Sequence, residues 1–249
     1  MTKIIIVAGG LATRMTPITE QIPKCLIDIQ GTPLIEHQLK FFKKHGYTEI
    51  IFCVAHLADK VKEYFKDGKK LGLSIQYIQE KNELMGTAGS VKLAEKMIPK
   101  NDDFIVFYGD NLTSMDFGKF LNFHREKKAL ATICMRPLPS GYKSSSIITL
   151  ATDHKIRVFL EKPSPDDLEK YSGEQRYINN GIYAFKKEVF KYIPPATKFD
   201  FAQELFPTLV ENNVGIYGYP TEEFFREIGR IEKYAKILEE FKGRDAILS

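Results

Sequence analysis

The stretch Ile4-Ile5-Ile6-Val7-Ala8-Gly9-Gly10 decides the fold, because it is a continuous apolar run that ends at two glycines. A run of this kind is typical of a central strand that is covered on both faces. Similar runs alternate with helix-period segments through the first half of the chain. This alternation predicts an α/β protein with a mixed, mainly parallel sheet and helices on both faces.

Individual elements can be predicted from the spacing of apolar side chains. A helix over residues 34–45 should end at Gly46, where a positive φ is wanted. The other predicted strands cover 4–7, 49–54, 73–77, 104–108, 131–135, 147–150, 156–160 and 181–185. Predicted helical stripes are Leu57, Val61, Tyr64 and Phe65, then Val91, Ala94, Met97 and Ile98, and finally Ile231, Tyr234, Leu238 and Phe241. The set Phe117, Phe120, Leu121 and His124 is interpreted as core packing, and no histidine is given a catalytic role.

Composition excludes several classes of protein. Hydrophobic residues make up 43% of the 249 residues and charged residues 27%, which is typical of a folded chain. The apolar run at the start is too short for a secretory signal, and a dispersed net charge of +4 suits a phosphorylated small ligand better than nucleic acid. The distant cysteines Cys25, Cys53 and Cys134 are expected to be reduced thiols. We therefore expect a cytoplasmic protein that binds neither nucleic acid nor a membrane.

Residues that suit a phosphate site follow the first strand. A glycine-rich loop lets backbone N–H groups approach a phosphate closely, and Arg14 and Lys24 add positive charge. The loop matches neither the Walker pattern nor the dinucleotide pattern. Gly109-Asp110 ends another predicted strand, and α/β sheets bind ligands at the carboxyl ends of their strands. The pattern alone also allows a plain turn with two solvated cations and a turn-forming aspartate.

Residues 9–24, GGLATRMTPITEQIPK, resemble the signature GGxGTRLxPxTxxxPK of sugar-1-phosphate nucleotidylyltransferases. Ala12 stands where that family has glycine, and Met15 where it usually has leucine. Further blocks follow in the family's order over nearly all of residues 1–241. They are GTAG at 86–89, GDN at 109–111, EKP at 161–163, NNGIY at 179–183 and EIG at 227–229. The resemblance implies the Rossmann-like nucleotide-diphospho-sugar transferase fold.

We expect a single domain over residues 1–249, since α/β folds of this length commonly stay single. Its nucleotide-binding part would cover about 1–115, its acceptor-binding part about 116–230, and a C-terminal helix 230–242. The chain leaves no room after that helix for the left-handed β-helix of larger relatives, so no acyl-transfer activity is expected. Many relatives associate, and a homo-oligomer is therefore an open expectation.

The resemblance also implies a reaction and the residues that carry it out. A sugar 1-phosphate attacks the α-phosphorus of a nucleoside triphosphate (NTP), and pyrophosphate leaves. Arg14 would bind the leaving phosphates and Lys24 the α-phosphate, while Asp110 and Glu227 would hold Mg²⁺, a hard cation that takes few protein ligands. The implied nucleotide contacts are Ala8, Gly9, Gly10, Gln79, Glu80, Gly86 and Thr87. The implied acceptor contacts are Ser146, Glu161, Lys162 and Asn179. This chemistry belongs to nucleotide-sugar and polysaccharide biosynthesis.

Several of these residues also have a simpler structural explanation. Glu161-Lys162-Pro163 could be the end of a surface strand, and Asn179-Asn180-Gly181 a turn. Thr87 could cap a helix whose first N–H groups would otherwise face a nucleotide. At position 227 the family usually has Asp, so Glu227 places its carboxylate about one methylene further out.

The sequence determines neither the base nor the acceptor. Ser145-Ser146 stands where the family has Tyr-Gly, which weakens the case for glucose 1-phosphate. Residues 65–72, FKDGKKLG, resemble a block of mannose-1-phosphate guanylyltransferases and glucose-1-phosphate transferases, and slightly favour GTP with mannose or heptose 1-phosphate. The alternatives are a cytidylyltransferase acting on phosphocholine and a non-catalytic nucleotide-sugar-binding subunit. A glycosyltransferase is disfavoured, since Asp110-Asn111-Leu112 lacks the second Asp of a DxD motif.

Overall fold

The structure is a computed structural model that describes residues 2–80, 84–138, 146–243 and 248. Its strands are β1 (Lys3–Val7), β2 (Asp28–Ile29), β3 (Thr32–Pro33), β4 (Glu49–Val54), β5 (Ser74–Gln79), β6 (Asp103–Tyr108), β7 (Asn111–Thr113), β8 (Ala131–Pro137), β9 (Ser146–Leu150), β10 (Ile156–Glu161), β11 (Tyr177–Lys186), β12 (Ile216–Pro220) and β13 (Phe225–Glu227). Its α-helices are α1 (Leu34–Lys44), α2 (Ala58–Phe65), α3 (Gly86–Lys92), α4 (Phe117–Glu126), α5 (Pro165–Lys170), α6 (Phe206–Glu211) and α7 (Ile231–Glu240). Across the described ranges, every helix is too short or too polar to span a bilayer.

The chain divides into two compact units. The first comprises Met1–Leu84, Phe107–Met115 and Glu223–Ser249, and the second Met85–Val106 and Asp116–Glu222. Strand β6 therefore begins in the second unit and ends in the first. The expected single domain, with a nucleotide-binding part over about 1–115 and an acceptor-binding part over about 116–230, stays a prediction.

Parallel strands form the sheet of the first unit, in the order β1, β4, β5. Their apolar runs pair directly, with Ile4 beside Ile50 and Ile50 beside Ile75. Helix α1 buries an apolar stripe that includes Leu34 and Leu39, and Gly46 follows it with a φ of 83°. The strands predicted over 4–7 and 49–54 and the helix over 34–45 are thus confirmed, because each has a long, unambiguous period.

A second layer of the first unit packs around Met15. Strands β7 and β13 pair in an antiparallel ribbon, and helix α7 lies against it. The resulting core joins the glycine-rich loop to the end of the chain. Its fully buried members are Met15, Ile27, Ile29, Leu34, Leu112, Ile228, Ile237 and Phe241.

The second unit contains a mixed sheet in the order β10, β9, β11, β8, β12. All of its described pairs are antiparallel except β12 with β8. One core is aromatic, with Phe185, Phe201 and Phe206 stacked on one another. Helix α4 buries Phe117, Phe120, Leu121 and His124, which confirms the core-packing interpretation of that stripe. The predicted α/β class with a mixed sheet is confirmed, and its parallel pairs dominate in the first unit.

Three predicted stripes differ from the structure. The helix predicted through Ile98 ends at Lys92, because the N–H groups of Leu93 and Ala94 bond three residues back and tighten the chain into a 3₁₀ turn. Tyr64 is 49% exposed rather than buried, since its hydroxyl donates to Glu36. Ile231 is 40% exposed, and Ile237 fills the buried position of helix α7 instead.

The dipeptide Asn180-Gly181 does not form a turn. It lies within strand β11, where the register against β8 shifts between Asn179 and Tyr183. Gly181 has a φ of 68°, which suits a bulge in which extra residues oppose the partner strand. Asn-Gly, a dipeptide that usually indicates a turn, therefore forms a bulge within a strand here.

Replacing Met15 with alanine should destabilise the protein by about 2–5 kcal/mol, because the cavity would open in the core around Met15. Urea unfolding of the wild type and of Met15→Ala measures this difference. Leu11→Ala is the control in the same loop, since Leu11 is 50% exposed and its loss should cost less than about 0.5 kcal/mol. Equal losses in the two variants would show that Met15 does not anchor the loop.

Candidate active site

The carboxyl ends of several strands meet in the first unit. The N–H of Ala8 donates to the Cys53 carbonyl at 2.9 Å, and the N–H of Gly109 donates to the Val7 carbonyl at 2.9 Å. A Cβ atom on Gly109 would lie 3.2 Å from the Val7 oxygen and 3.3 Å from the Ala8 Cβ, so glycine permits this close approach. As a result, Asp110 begins beside the glycine-rich loop.

The loop after β1 takes a conformation that explains its sequence. Ala12 has a φ of 50°, in the left-handed region, where the related family has glycine. Its carbonyl accepts the Thr19 hydroxyl at 2.9 Å and the Met15 N–H at 2.9 Å. Arg14 follows in a short 3₁₀ turn with an exposed side chain. The loop is thus anchored by hydrogen bonds to the Ala12 carbonyl, while the Arg14 guanidinium faces solvent.

Lys24 and Asp110 form an ion pair between the Lys24 ammonium and Asp110 Oδ2. Each side chain is 21% exposed, so the pair is open to solvent on one side. The structure therefore brings together two residues that the sequence placed 86 positions apart. Burial, and to a lesser degree the charge of Asp110, raises the pKa of the neighbouring Cys25 thiol to about 12, so this thiol is not a nucleophile at neutral pH.

A second carboxylate arises from the strand beside Asp110. The N–H of Ile228 donates to the Asp110 carbonyl at 2.9 Å, and Glu227 pairs with Asn111 across the β7–β13 ribbon. The Glu227 carboxylate contacts the Lys233 ammonium and lies against Gly229, where a side chain would collide with it. Asp110, just before β7, and Glu227, at the end of β13, are partly exposed carboxylates of the kind that Mg²⁺ accepts when phosphate oxygens complete its shell. Among the described residues, no group of three or more His, Cys, Asp or Glu could hold a metal without such help.

Gln79 and Glu80 lie at the end of the neighbouring strand β5. The Glu80 N–H donates to the Val54 carbonyl at 3.1 Å, which continues the sheet by one residue. Glu80 Oε1 lies 3.3 Å from the place where a Cβ on Gly9 would be. The Gln79 side chain is exposed and accepts a hydrogen bond from Lys62. These two residues therefore lie at the same edge of the first unit as the glycine-rich loop.

In the second unit, the sheet register aligns two of the residues expected to bind the acceptor. Glu161 on β10 pairs with Ser146 on β9. Asn179 lies on β11, which pairs with β9 through Tyr177 and Ile148. Asn179 is oriented by two bonds, one from the Gly181 N–H at 2.9 Å and one to the Tyr183 hydroxyl at 2.9 Å. Ser145, the other residue of the Ser145-Ser146 comparison, lies outside the described residues.

Glu161 and Lys162 also line a groove of about 480 Å³ in the second unit. Lys162 is exposed with a φ of 52°, while Glu161 is partly buried. Burial raises the pKa of Glu161 to about 7, the charge of Asp200 adds to this rise, and Lys162 opposes it. Gln203 lines the same groove and was not predicted from the sequence, because nothing in its local pattern links it to a strand 40 residues earlier.

The segment Gly86–Gly89, the first turn of helix α3, differs from the expectation. The N–H groups of Ala88 and Gly89 donate to the Phe199 carbonyl at 3.0 and 2.9 Å, so these helix amides do not face a nucleotide. Thr87 is not the helix cap, which is Met85. Its hydroxyl donates instead to Asp200 Oδ2 at 2.7 Å. Any contact of this segment with a nucleotide must therefore use atoms other than the N–H groups of Ala88 and Gly89 and the Thr87 hydroxyl.

The raised pKa of Glu161 predicts a pH-dependent stability. Because the folded-state pKa of about 7 lies above the ordinary value of 4.5, the folded protein binds this proton more tightly, and the free energy of unfolding falls as pH rises from about 4.5 to about 7. Glu161→Gln carries no charge at any pH. Its melting temperature relative to the wild type should therefore rise between pH 5 and pH 8. Glu211→Gln, an exposed carboxylate of the same groove, is the control and should show no such trend.

Nearly the whole chain resembles known proteins. The sequence model of the family described as "Nucleotidyl transferase" matches residues 3–243. The chain is 36% identical to a UTP–glucose-1-phosphate uridylyltransferase of Synechocystis over 93% of its own length, and 28% identical to a mannose-1-phosphate guanylyltransferase of Mycobacterium tuberculosis, also over 93%. It spans 61% and 62% of the lengths of these two curated relatives.

Solved structures of similar fold agree with this result. HddC from Yersinia pseudotuberculosis superposes with a TM-score of 0.79 at 26% identity, covering 97% of this chain and 100% of that chain. A crystal structure of HddC complexed with GMP-PN gives the same TM-score at 27% identity. The resemblance to sugar-1-phosphate nucleotidylyltransferases found in the sequence motifs is confirmed at the level of the family. The chain belongs to the nucleotidyl transferase family.

Proposed function

We propose that this protein joins a sugar 1-phosphate to the nucleoside monophosphate part of an NTP and releases pyrophosphate. The observation that carries the proposal is the Lys24–Asp110 pair, held beside the glycine-rich loop at the carboxyl edge of β1 and β6. The names of the two relatives support the same reaction, since one is a UTP–glucose-1-phosphate uridylyltransferase and the other a mannose-1-phosphate guanylyltransferase. A role in polysaccharide biosynthesis and a cytoplasmic location are part of this proposal.

The first unit would bind the nucleotide. Its proposed contacts are Ala8, Gly9 and Gly10 of the loop with Gln79 and Glu80 at the end of β5. Gly86 and Thr87 of the second unit are also proposed nucleotide contacts. Arg14 would bind the leaving phosphates, since its guanidinium is exposed and permanently charged. Lys24 would exchange Asp110 for the α-phosphate when the nucleotide binds. This exchange keeps the ammonium neutralised in both states.

Asp110 and Glu227 would hold Mg²⁺, since the exchange at Lys24 frees the Asp110 carboxylate. The ion, when bound, would neutralise charge on the phosphates and help to orient them. Lys233 would balance the charge of Glu227 in the absence of the ion. The oxygen-only chemistry of this pair fits Mg²⁺ better than a softer metal.

The second unit would bind the acceptor. Glu161 would accept hydrogen bonds from sugar hydroxyls, together with Ser146 opposite it on β9 and Asn179 on β11, and the Lys162 ammonium would pair with the phosphate. A phosphate oxygen of the acceptor forms a bond to the α-phosphorus while the bond to the bridging oxygen breaks, and that oxygen leaves with pyrophosphate. The attacking oxygen is already anionic near pH 7, so no general base is needed.

A pyrophosphate-release assay with Mg²⁺ tests the proposal. The common NTPs are crossed with glucose, mannose and heptose 1-phosphates and with phosphocholine. We expect release with one nucleotide and a sugar 1-phosphate, and a loss of about 10²- to 10³-fold in Asp110→Ala, because removal of one such charge costs a few kcal/mol in the transition state. Lys3→Ala is the matched control, since it removes one charge of the Lys3–Glu49 ion pair at the amino end of β1, away from the carboxyl ends of β1 and β6 where Asp110 lies.

The results of this assay separate the alternatives. Release only with phosphocholine would replace the sugar with a non-sugar acceptor. Silence with every pair, together with a nucleotide-dependent rise in melting temperature, would favour the non-catalytic binding protein. Full activity in Asp110→Ala would contradict the proposed metal site.

Replacements of Glu227 should separate its charge from its length. Glu227→Gln should raise the Mg²⁺ concentration needed for half-maximal rate, because a neutral amide is a weaker ligand for a hard cation. Glu227→Asp should keep the low Mg²⁺ requirement, since the carboxylate remains. Titration of the initial rate with Mg²⁺ measures both effects. Identical curves for the wild type and Glu227→Gln would exclude Glu227 as a ligand.

A further inference from the structure

The segments 85–89 and 199–203 of the second unit are joined by several hydrogen bonds. The Phe199 N–H donates to the Met85 carbonyl at 2.9 Å, and the Phe199 carbonyl accepts from Ala88 and Gly89. Gly86 has a φ of 71°, and a Cβ on it would lie 2.6 Å from the Phe199 oxygen, so no side chain fits there. The loop that the proposed function assigns to the nucleotide is therefore built onto residue 199 and its neighbours.

Asp200 is the polar centre of this junction. Its Oδ1 accepts the N–H groups of Ala202 at 2.9 Å and Gln203 at 3.2 Å, which begins the π-helical turn Phe201–Leu205. Its Oδ2 accepts the Thr87 hydroxyl at 2.7 Å, and that hydroxyl accepts the Phe201 N–H at 3.0 Å. Both carboxylate oxygens of Asp200 are thus used, Oδ1 for the turn Phe201–Leu205 and Oδ2 for Thr87 in the segment Gly86–Gly89. π-helical turns occur frequently at functional sites.

The same carboxylate acts on the acceptor side of the unit. The turn Phe201–Leu205 packs against strand β10, which ends at Glu161. Gln203, held at its N–H by Asp200, lines the groove together with Glu161 and Lys162. The negative charge of Asp200 disfavours the ionised form of Glu161. Asp200 therefore contacts the loop directly and the acceptor carboxylate through its charge.

We propose that Asp200 is a positioning residue that holds the segment Gly86–Gly89 through Thr87 and, by accepting the Gln203 N–H, holds Gln203 in the groove that Glu161 and Lys162 line, so that one carboxylate serves both substrate-binding segments of the second unit. This inference rests on the proposed function for its meaning in catalysis. One consequence of the placement, the effect of the Asp200 charge on Glu161, can be measured without any substrate. Asp200 is 113 residues from Thr87 and 39 residues from Glu161 along the chain, and only the fold brings them together.

The charged groups around Glu161 determine the direction of the effect. Asp200 raises its pKa and Lys162 lowers it, while Arg157 and Glu211 also line the groove and Arg157 is paired with Glu174. A sugar hydroxyl donates best to an ionised carboxylate. Acceptor binding should therefore weaken as pH falls below about 7, and removal of the Asp200 charge should move this loss to lower pH.

The first measurement is a ¹³C NMR titration of glutamate side-chain carboxyls in the full chain, with the Glu161 signal assigned by its absence in Glu161→Gln. We expect a midpoint near pH 7 in the wild type. In Asp200→Asn the midpoint should move to lower pH, because the amide keeps a hydrogen-bonding group but removes the charge. Asp116→Asn is the matched control, since Asp116 caps helix α4 in the same way through the Lys119 N–H. An unchanged Glu161 midpoint in Asp200→Asn would overturn the proposal.

The second measurement uses steady-state kinetics with the substrate pair found in the pyrophosphate assay. In the wild type, the acceptor KM should rise about tenfold between pH 8 and pH 6, as expected for one group that titrates near 7. Asp200→Asn should reduce this ratio at least about twofold while leaving the NTP KM at pH 8 unchanged. Asp200→Ala, which also releases Thr87, should raise the NTP KM as well. A general loss of stability would not produce this split between the two variants.

The two measurements distinguish a failure of the proposed function from a failure of the inference about Asp200. If no substrate pair is found but the Glu161 midpoint shifts in Asp200→Asn, the proposed function fails and the electrostatic link stands. If turnover is found and the acceptor KM of Asp200→Asn follows the wild-type pH profile, Asp200 has only a structural role and the inference is wrong.

Discussion

The backbone hydrogen bond from Gly109 to Val7 is the constraint on which the first unit's site depends. It joins the end of β6 to the end of β1 so closely that a side chain at position 109 would be in tight contact with the Val7 carbonyl. Asp110 then begins beside the glycine-rich loop, within reach of Lys24. Carboxyl ends of parallel strands collect polar groups because the backbone there turns away from the sheet and its side chains face solvent. The ion pair is a consequence of this geometry.

The glycine-rich loop is held in place by the buried side chain of Met15 rather than by its charged residues. Met15 is buried among side chains of the β7–β13 ribbon and of helix α7, while Arg14 next to it is exposed. A 3₁₀ turn makes this possible, since neighbouring residues in it point in different directions. The last helix of the chain thus stabilises a loop near its beginning. The free energy of apolar burial orders a segment whose polar groups are left available for a ligand.

The second unit uses a different arrangement to the same end. Ser146 and Glu161 are brought opposite each other by strand register, which the period of two in each strand makes strict. The bulge in β11 turns the Asn179 amide so that its oxygen accepts the Gly181 N–H. Burial on this sheet then changes the chemistry of Glu161, because a charged carboxylate loses solvation there.

The sequence alone determined the α/β class, the long strands and helix α1, and the family motifs around Arg14, Lys24, Asp110 and Glu161, because these depend on local periods and ordered motifs. It did not determine that Lys24 pairs with Asp110, that the amides of Ala88 and Gly89 are satisfied by Phe199, or that Asp200 and Gln203 accompany Glu161. Those contacts join residues far apart in the chain, and no local pattern encodes them. Tyr64 and Ile231 show the same limit at the surface, since an apolar spacing predicts a helical face but not which positions on it remain uncovered. Only tertiary packing decides which polar groups stay free for a ligand and which are used to hold the fold.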